Sequence, residues 1–576
     1  MNSCCNSGAA LLGLLLVSAC TDTGTSPITS PGLCRADAIP ISAIQGDGYY
    51  SPLMDSLATT QGTVTGIKQG EGVYIEDGST PHQSSRSRAL FLSDQSLSRS
   101  AAPGQVLAVS GRVAELGSSR DKLTSLVEVS AVETCSEQAD LPETPASLPM
   151  NSKTRESLES MRVSFEQTLT VTDVYKLSKN ELTLSAGGML RIPTESVGPG
   201  SAASRLAREN RNRSLVVRLD RDNIVPVPVG STFKAPAGVM GHDGRAQQLV
   251  MESKPLMKVP EADTLHAAAD GEVRIVSANL LNFFNGDGAG VGFPAERGPE
   301  SMDEFLAQSA RIEAAISRIQ PDLLGVQELE NDGFGPRSAA RSLLTLLNST
   351  GNDDWAVVET GAGRVGEDII AVGLFYRRQV LETVGKPHTL GSTAFQNLSR
   401  MPLAQLFRDR SSGVEFLVAA NHLKSKYGCP EGGINSDQDD GQSCWNAARV
   451  SAVEEQVEWL GQLAGNLGTT NILILGDMNA YRLEDPIRQF IDSSYVDLVE
   501  QLAGLPQYSY VFWGQAGTLD YLFTSPAMAR YARAAQIWHI NAGHARNMAH
   551  PQPWLRASDH DPVIADFDFS QSETPD

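Results

Sequence analysis

Near the C-terminus, Ser558-Asp559-His560-Asp561-Pro562 places a carboxylate directly beside an imidazole, and three upstream motifs supply companions for the pair. Asn279 closes the run Val273-Arg274-Ile275-Val276-Ser277-Ala278, Glu328 ends Gly325-Val326-Gln327-Glu328, and Asp477 and Asn479 lie in Gly476-Asp477-Met478-Asn479-Ala480. Each is a polar residue ending an apolar strand-like segment. Together they describe a site for metal-dependent hydrolysis of a phosphodiester.

A phosphodiester is anionic and resists attack, so its hydrolysis needs charge neutralisation, an activated water and help for the departing alkoxide. Glu328 and Asp559 are hard oxygen ligands suited to Mg²⁺, with Mn²⁺ as the alternative, Ca²⁺ as an auxiliary ion and Asn279 as a neutral contact. His560 can act as base or phosphate contact, and Asp520, in Gly517-Thr518-Leu519-Asp520-Tyr521, would fix its tautomer. His422, in Asn421-His422-Leu423-Lys424-Ser425-Lys426, offers a second acid–base group, with Asp368 as a candidate partner. Asp477 would hold metal or manage a proton, and Asn479 would donate to the developing phosphorane. Lys424 and Arg377 are the candidate substrate contacts, drawn from a local basic set that includes Arg364, Arg378, Arg400, Arg408, Lys426 and Arg449. Taken singly, Asn279 and Asp520 read as turn or cap residues. Jointly that reading fails, because chance rarely places compatible groups after so many buried strands.

The elements that must position these groups begin at Glu272, where strands alternate with helices. Met302 to Ile319 carries Phe305, Ile312, Ile316 and Ile319 at near-helical spacing before Pro321, and Ala448 to Leu463 reads likewise. Apolar runs at 323–326, 370–376, 416–420, 472–475 and 563–565 predict buried strands, hence a layered α/β domain over 271–568. Upstream, strand-like segments at 62–67, 72–75, 89–92, 106–113 and 126–129 predict an OB-like β domain over 40–140. Residues 141–265 predict a second β-rich domain with strands near 163–165, 169–172, 182–184 and 190–192, and no activity of its own. Ala202 to Arg213, polar and Arg-rich, reads as an exposed loop or short helix.

At 576 residues the chain exceeds a single core, and 41% hydrophobic with 20% charged residues is globular composition. A net charge of -22 repels polyanions at long range, so a nucleic-acid substrate would require a local basic groove. The apolar run Ala9 to Val17 ends in Val17-Ser18-Ala19-Cys20, which resembles a bacterial lipobox. The expectation is a signal peptide over 1–20, a lipid on Cys20 that anchors the protein to a membrane, and a flexible tether over 21–39. Export to the outer membrane or beyond, in a Gram-negative-type bacterium, agrees with the remaining cysteines. Cys34, Cys135, Cys429 and Cys444 form an even set, and sequence locality selects Cys34–Cys135 and Cys429–Cys444.

The order Asn279, Gln327-Glu328, Asn421-His422, Gly476-Asp477-Met478-Asn479, Asp520, Ser558-Asp559-His560 resembles the endonuclease/exonuclease/phosphatase superfamily, with its DNase I-like fold. That resemblance implies a four-layer α/β sandwich of two packed sheets. It implies Glu328 as the main metal ligand assisted by Asn279 and Asp559, His560 paired with Asp520, His422 as second histidine, and Asp477 with Asn479 as catalytic carboxylate and amide. The segments Glu328-Leu329-Glu330-Asn331-Asp332-Gly333, Gly441-Gln442-Ser443-Cys444-Trp445-Asn446 and Glu484-Asp485-Pro486 look like the large secreted bacterial nucleases of the ExeM/NucH type. The expected function is an anchored or secreted divalent-metal nuclease making internal cuts in extracellular DNA, with RNA as a further substrate and no protein partner. The alternatives are a phosphodiesterase or phosphatase acting on a sphingomyelin headgroup or inositol phosphate, and a non-catalytic surface DNA-binding protein.

Overall fold

Alternation decides which way each strand of the C-terminal half faces. Val273, Ile275, Leu323, Val418, Leu473 and Leu475 point into one core, whereas Val276, Leu324, Val326, Leu417, Ala419 and Ile474 point away from it into two others. Successive side chains of a strand leave on opposite faces, so a sheet apolar on both must be covered on both. The outward residues of one sheet meet Phe305, Ile312 and Ile316 of the Met302–Ile319 helix, and those of the other meet Val453 and Leu460 of the Asn446–Leu467 helix. The result is a helix, sheet, sheet, helix sandwich, as expected.

The computed structural model describes residues 32–34, 37–78, 85–118, 122–219, 226–251, 256–349, 354–361, 363–396 and 398–570. The lipobox and Cys20 lie outside the described residues. Among those residues no helix is long and apolar enough to cross a membrane.

One six-stranded sheet runs Trp355–Val357, Ile370–Arg377, Leu323–Glu330, Val273–Phe283, Val563–Phe567, Ala532–Ile537. The other runs Leu381–Thr389, Leu403–Asp409, Glu415–His422, Ile472–Asp477, Asp520–Thr524, Val496–Asp497. Their closest approach uses Gly325, where a Cβ would meet Leu475 Cδ1 at 2.1 Å. Without that side chain, Leu475 of one sheet rests directly on the backbone of the other.

Upstream, Leu57–Lys68, Gly72–Glu76, Ala89–Leu92, Leu123–Ser136 and Val106–Leu116 close into a five-stranded barrel around Val64, Val73, Ile75, Leu90 and Val109. The Cys34–Cys135 disulfide joins the segment before the barrel to the end of its Leu123–Ser136 strand. The region expected to hold four strands instead contributes nine to one sheet. Short strands such as Ser214–Arg218 and Thr232–Lys234 carry too few residues to show a period. Ser201–Arg213 is a thirteen-residue helix, not a loop, and it buries Ala203 and Asn210.

The nine-stranded region also reaches into the sandwich. Its Leu190–Arg191 strand pairs in parallel with Gln515–Gly517, which pairs with Tyr510–Phe512 to make a small three-stranded sheet. Asn210 Nδ2 bridges the two parts by donating to Arg191 O at 2.8 Å and Gln515 Oε1 at 2.7 Å.

Candidate active site

Strand register assembles the site. The parallel strands Glu415–His422 and Ile472–Asp477 set His422 beside Asp477, and antiparallel pairing sets Asp477 beside Asp520. In the facing sheet, parallel pairing puts Asn279 beside Gln327, so Glu328 emerges at the same end. Asp559 and His560 immediately precede the Val563–Phe567 strand, which pairs with the Asn279 strand. The ends of both sheets thus converge on one point.

Two backbone features permit this. Gly476 has φ +141°, and a Cβ there would lie 2.1 Å from Asn421 O, which explains the glycine before Asp477. Glu328 and Asn479 are held at φ +60° and +47°, as are Leu281 at +55° and Asn282 at +52°. Left-handed conformations of non-glycine residues are costly and concentrate at functional sites.

At the centre, His560 Nδ1 lies 2.7 Å from Asp520 Oδ2, which accepts from Ser509 Oγ at 2.6 Å. Ser509 Oγ in turn accepts from the Leu519 and Asp520 amides at 3.0 and 3.1 Å. Asp477 Oδ2 stands 3.9 Å from His560 Nε2 and 3.5 Å from His422 Nε2. Burial disfavours a charged His560, yet Asp520 and Asp477 outweigh it and hold the imidazole well above its ordinary range. Burial, followed by Arg400, His560, Arg297 and Lys424, holds His422 well below its own, so His422 is neutral. Burial pushes the Asp477 carboxyl up to about 7, against the pull of His560.

Glu328 accepts from the Asn282 amide at 2.9 Å, and Asn279 Nδ2 lies 3.3 Å from Glu328 Oε1 and 3.4 Å from Asp477 Oδ2. Asn279 therefore bridges the two carboxylates as a donor, its own oxygen accepting from the Leu281 amide. Burial and the nearby Asp559 charge raise the Glu328 pKa.

Asp477, Asp520 and His560 offer ligand atoms within 4.8 Å of one another. Their short bonds are internal, from His560 to Asp520 and from Asp520 to Ser509, so we read this cluster as a proton relay. Glu328 and Asp559 show no ion pair among the described residues and repel each other. That pairing of hard oxygens fits a divalent cation.

Several expected contacts resolve differently. Arg377 is not at the site: its strand runs antiparallel to that of Glu328, so it sits at the far end of the sheet, 3.2 Å from Asp354 and 3.6 Å from Asp322. Asp368 pairs with Arg400 at 3.1 Å rather than with His422, whose nearest ion-pair carboxylate is Asp477. Asn479 spends one amide hydrogen on Leu423 O at 3.1 Å. Arg408 is tied to Glu382 and Glu415, away from the site. Lys424 borders the site, its ammonium 5.1 Å above the Trp445 ring. Lys426 is buried against Glu484 at 2.5 Å, and burial lowers its pKa to about 8.

The later motifs interlock beneath the site. Glu484 accepts from Thr194 Oγ at 2.8 Å, Gln442 Nε2 and Asn446 Nδ2 both donate to Asp485 Oδ2 at 2.8 Å, and the Cys429–Cys444 disulfide closes the loop between them. Asp561 serves structure: it accepts from the Ile540, Asn541 and Ala542 amides at 3.0, 2.6 and 3.0 Å.

Sequence reasoning missed Ser509, Tyr510, Arg297, Arg556 and Glu195. Tyr510 packs against the His560 ring, tilted at 35° with centroids 4.6 Å apart. Glu195, from the nine-stranded region, is buried and accepts from Thr518 N and Thr518 Oγ at 3.1 Å each, two residues before Asp520. Its only signal was a carboxylate in an apolar context, Leu190-Arg191-Ile192-Pro193-Thr194-Glu195.

Residues 276–560 match the model described as the Endonuclease/Exonuclease/phosphatase family. No curated protein matches the chain. Among solved structures, the human Nocturnin catalytic domain with bound sulfate is 17% identical, over 52% of this chain and 96% of that one, with a TM-score of 0.34. A mannosyl-6-phosphatase from Bacteroides thetaiotaomicron VPI-5482 is 16% identical over 51% and 98%, with a TM-score of 0.35. D. rerio TDP2 complexed with a single-strand DNA product is 12% identical over 52% and 99%, with a TM-score of 0.32.

Proposed function

Because the chain belongs, over residues 276–560, to the Endonuclease/Exonuclease/phosphatase family and is thus a hydrolase of phosphoester bonds, we propose that its substrate is DNA, cut by metal-dependent hydrolysis. The observation that carries this reading is the cationic rim. Arg297 and Lys424 both act on His422, with Arg400, itself paired with Asp368 at 3.1 Å, behind them, and they supply locally the positive field that a net charge of -22 denies globally. A polymer presents several phosphates to such a rim, whereas a small phosphoester presents one or two.

Glu328 and Asp559 would hold the divalent cation, with Asn279 fixing Glu328, and the ion would neutralise phosphate charge. His560, its Nδ1 tied to Asp520, acts in its neutral form: Nε2 takes the proton of the attacking water as the new O–P bond forms, Asp520 and Asp477 favour the imidazolium so made, and that proton passes by way of Asp477 to the alkoxide released when the old P–O bond breaks. Neutral His422 donates a hydrogen bond to a phosphate oxygen, and Asp477 handles the proton between the two rings. Export through the N-terminal signal and anchoring at Cys20 complete the reading as a surface or secreted nuclease of the ExeM/NucH type.

Glu195 acts through the relay as a positioning residue. Glu195→Ala is expected to lower kcat about tenfold with a smaller change in KM, as loss of supporting hydrogen bonds does elsewhere. Glu195→Gln should recover part of it. Unchanged kcat in both variants would make the nine-stranded region a spacer.

The function itself is tested by incubating the protein with closed circular and with linear DNA, in Mg²⁺ or EDTA. Mg²⁺-dependent nicking of the circle supports internal cutting; shortening of linear DNA alone would indicate terminal cutting. If neither is cut while a small phosphodiester is hydrolysed, the DNA reading fails. Polymer cleavage should also weaken steeply as salt rises.

A further inference from the structure

The hairpin that brings Ser509 and Tyr510 to the relay continues outward to an exposed aromatic tip. Tyr510 and Phe512, two residues apart, share one face of their strand. Ring centroids step from His560 to Tyr510 at 4.6 Å, from Tyr510 to Phe512 at 6.5 Å and from Phe512 to Trp513 at 6.2 Å. This ladder begins at a buried imidazole and ends in solvent, with Phe512 50% and Trp513 78% exposed.

The turn is also conformationally expensive. Phe512 pairs with Gln515, so Trp513 and Gly514 form a two-residue loop, at φ +48° and +73°. Such loops favour Asn, Asp or Gly at the first position, and a bulky side chain is disfavoured there. Burial would normally offset that, but most of this indole remains in water. Gly514 O accepts from Thr172 Oγ, which anchors the tip to the nine-stranded sheet whatever residue stands at 513.

We propose that Phe512 and Trp513 form a stacking platform for an unpaired nucleobase, a few nucleotides from the scissile phosphate. The inference rests on the DNA reading above and narrows it to strands with unpaired bases. A flat π surface suits a base face, and such stacking carries little sequence preference because every base has one. Charge lies where the backbone would pass: Arg556 acts on both Tyr510 and Asp559. An exposed Trp–Phe pair also suits a bilayer. However, two rings set at 77°, linked through Tyr510 to the relay histidine and flanked by an arginine, suit a strand leaving the site better than an apolar membrane patch.

The test compares the full chain with Trp513→Ala and Trp513→Phe on single-stranded oligothymidylate and on bis(p-nitrophenyl) phosphate. The ratio of kcat/KM on the oligonucleotide to that on the small diester is expected to fall roughly tenfold or more in Trp513→Ala and to recover largely in Trp513→Phe. Indole fluorescence quenched by oligothymidylate in EDTA should lose that response in Trp513→Phe. An unchanged ratio would overturn the platform while leaving the nuclease reading intact. So would Trp513-dependent binding to phosphatidylcholine vesicles with the ratio unmoved. A wild-type protein that hydrolyses the diester but leaves both single- and double-stranded DNA uncut would overturn the nuclease reading, and the platform with it.

Discussion

Replacing His560 by alanine is expected to lower kcat at least about a hundredfold, the scale of losing a positioned acid–base group. The imidazole is held from two sides: Asp520, itself fixed by Ser509 at 2.6 Å, holds Nδ1 at 2.7 Å, and the tilted Tyr510 ring packs on it at 4.6 Å. Only Nε2 is left to face a reacting water, with Asp477 at 3.9 Å. Asp520→Asn should also be slow, because an amide can no longer favour the imidazolium. The double variant should be no slower than His560→Ala alone, since Asp520 acts only through the ring, and groups working as a unit are strongly non-additive. Steady-state rates on plasmid and on bis(p-nitrophenyl) phosphate measure this, with circular dichroism to check folding. Additive losses would give Asp520 a role of its own, and a near-normal His560→Ala would remove the relay.

The catalytic half was legible in the sequence because its signals are local. Helix Met302–Ile319 has the predicted ends, since Ile312, Ile316 and Ile319 repeat on one face and Pro321 follows. Asp477 was readable as a strand-end residue because it borders a run buried on both faces, whereas Asp520, which opens a strand the sequence did not announce, was readable only through its motif and its companions. What escaped depends on pairing between distant segments. Nothing in Leu190–Arg191 announces that it will pair with Gln515–Gly517, so Glu195 drew no reading at all. Arg377 failed for a related reason: charge type is visible in sequence, but strand direction decides which end of the sheet it occupies. Arg297 lies in a glycine-rich loop, between Gly292 and Gly298, where no period exists to read. The same dependence explains why the nine-stranded region seemed inert. Its sequence holds no catalytic motif, and its contribution is made through the backbone of Thr518.

Glu328→Gln is expected to separate activity from stability, with opposite signs. Glu328 is half-buried, its carboxyl raised by burial and by Asp559 against the pull of His560, and its donors are the Asn282 amide at 2.9 Å and Asn279 Nδ2 at 3.3 Å. A glutamine keeps the volume and can still accept from Asn282, but it removes a charge whose burial and repulsion by Asp559 outweigh the pull of His560 and Arg400. In EDTA the variant should therefore be as stable as wild type or more so, by on the order of 1 kcal/mol. In Mg²⁺ the order should reverse, because only the wild type gains the stabilisation of a ligand that binds the native state. Turnover should fall at least about a hundredfold, as when a main electrostatic contact to developing charge is lost, and raising Mg²⁺ should restore part of it. Thermal midpoints with and without Mg²⁺, read beside the metal dependence of the rate, check both halves. Equal Mg²⁺ stabilisation of the two proteins would mean the cation is held elsewhere. Asp477, Asp520 and His560 would then have to be read as ligands instead of a relay.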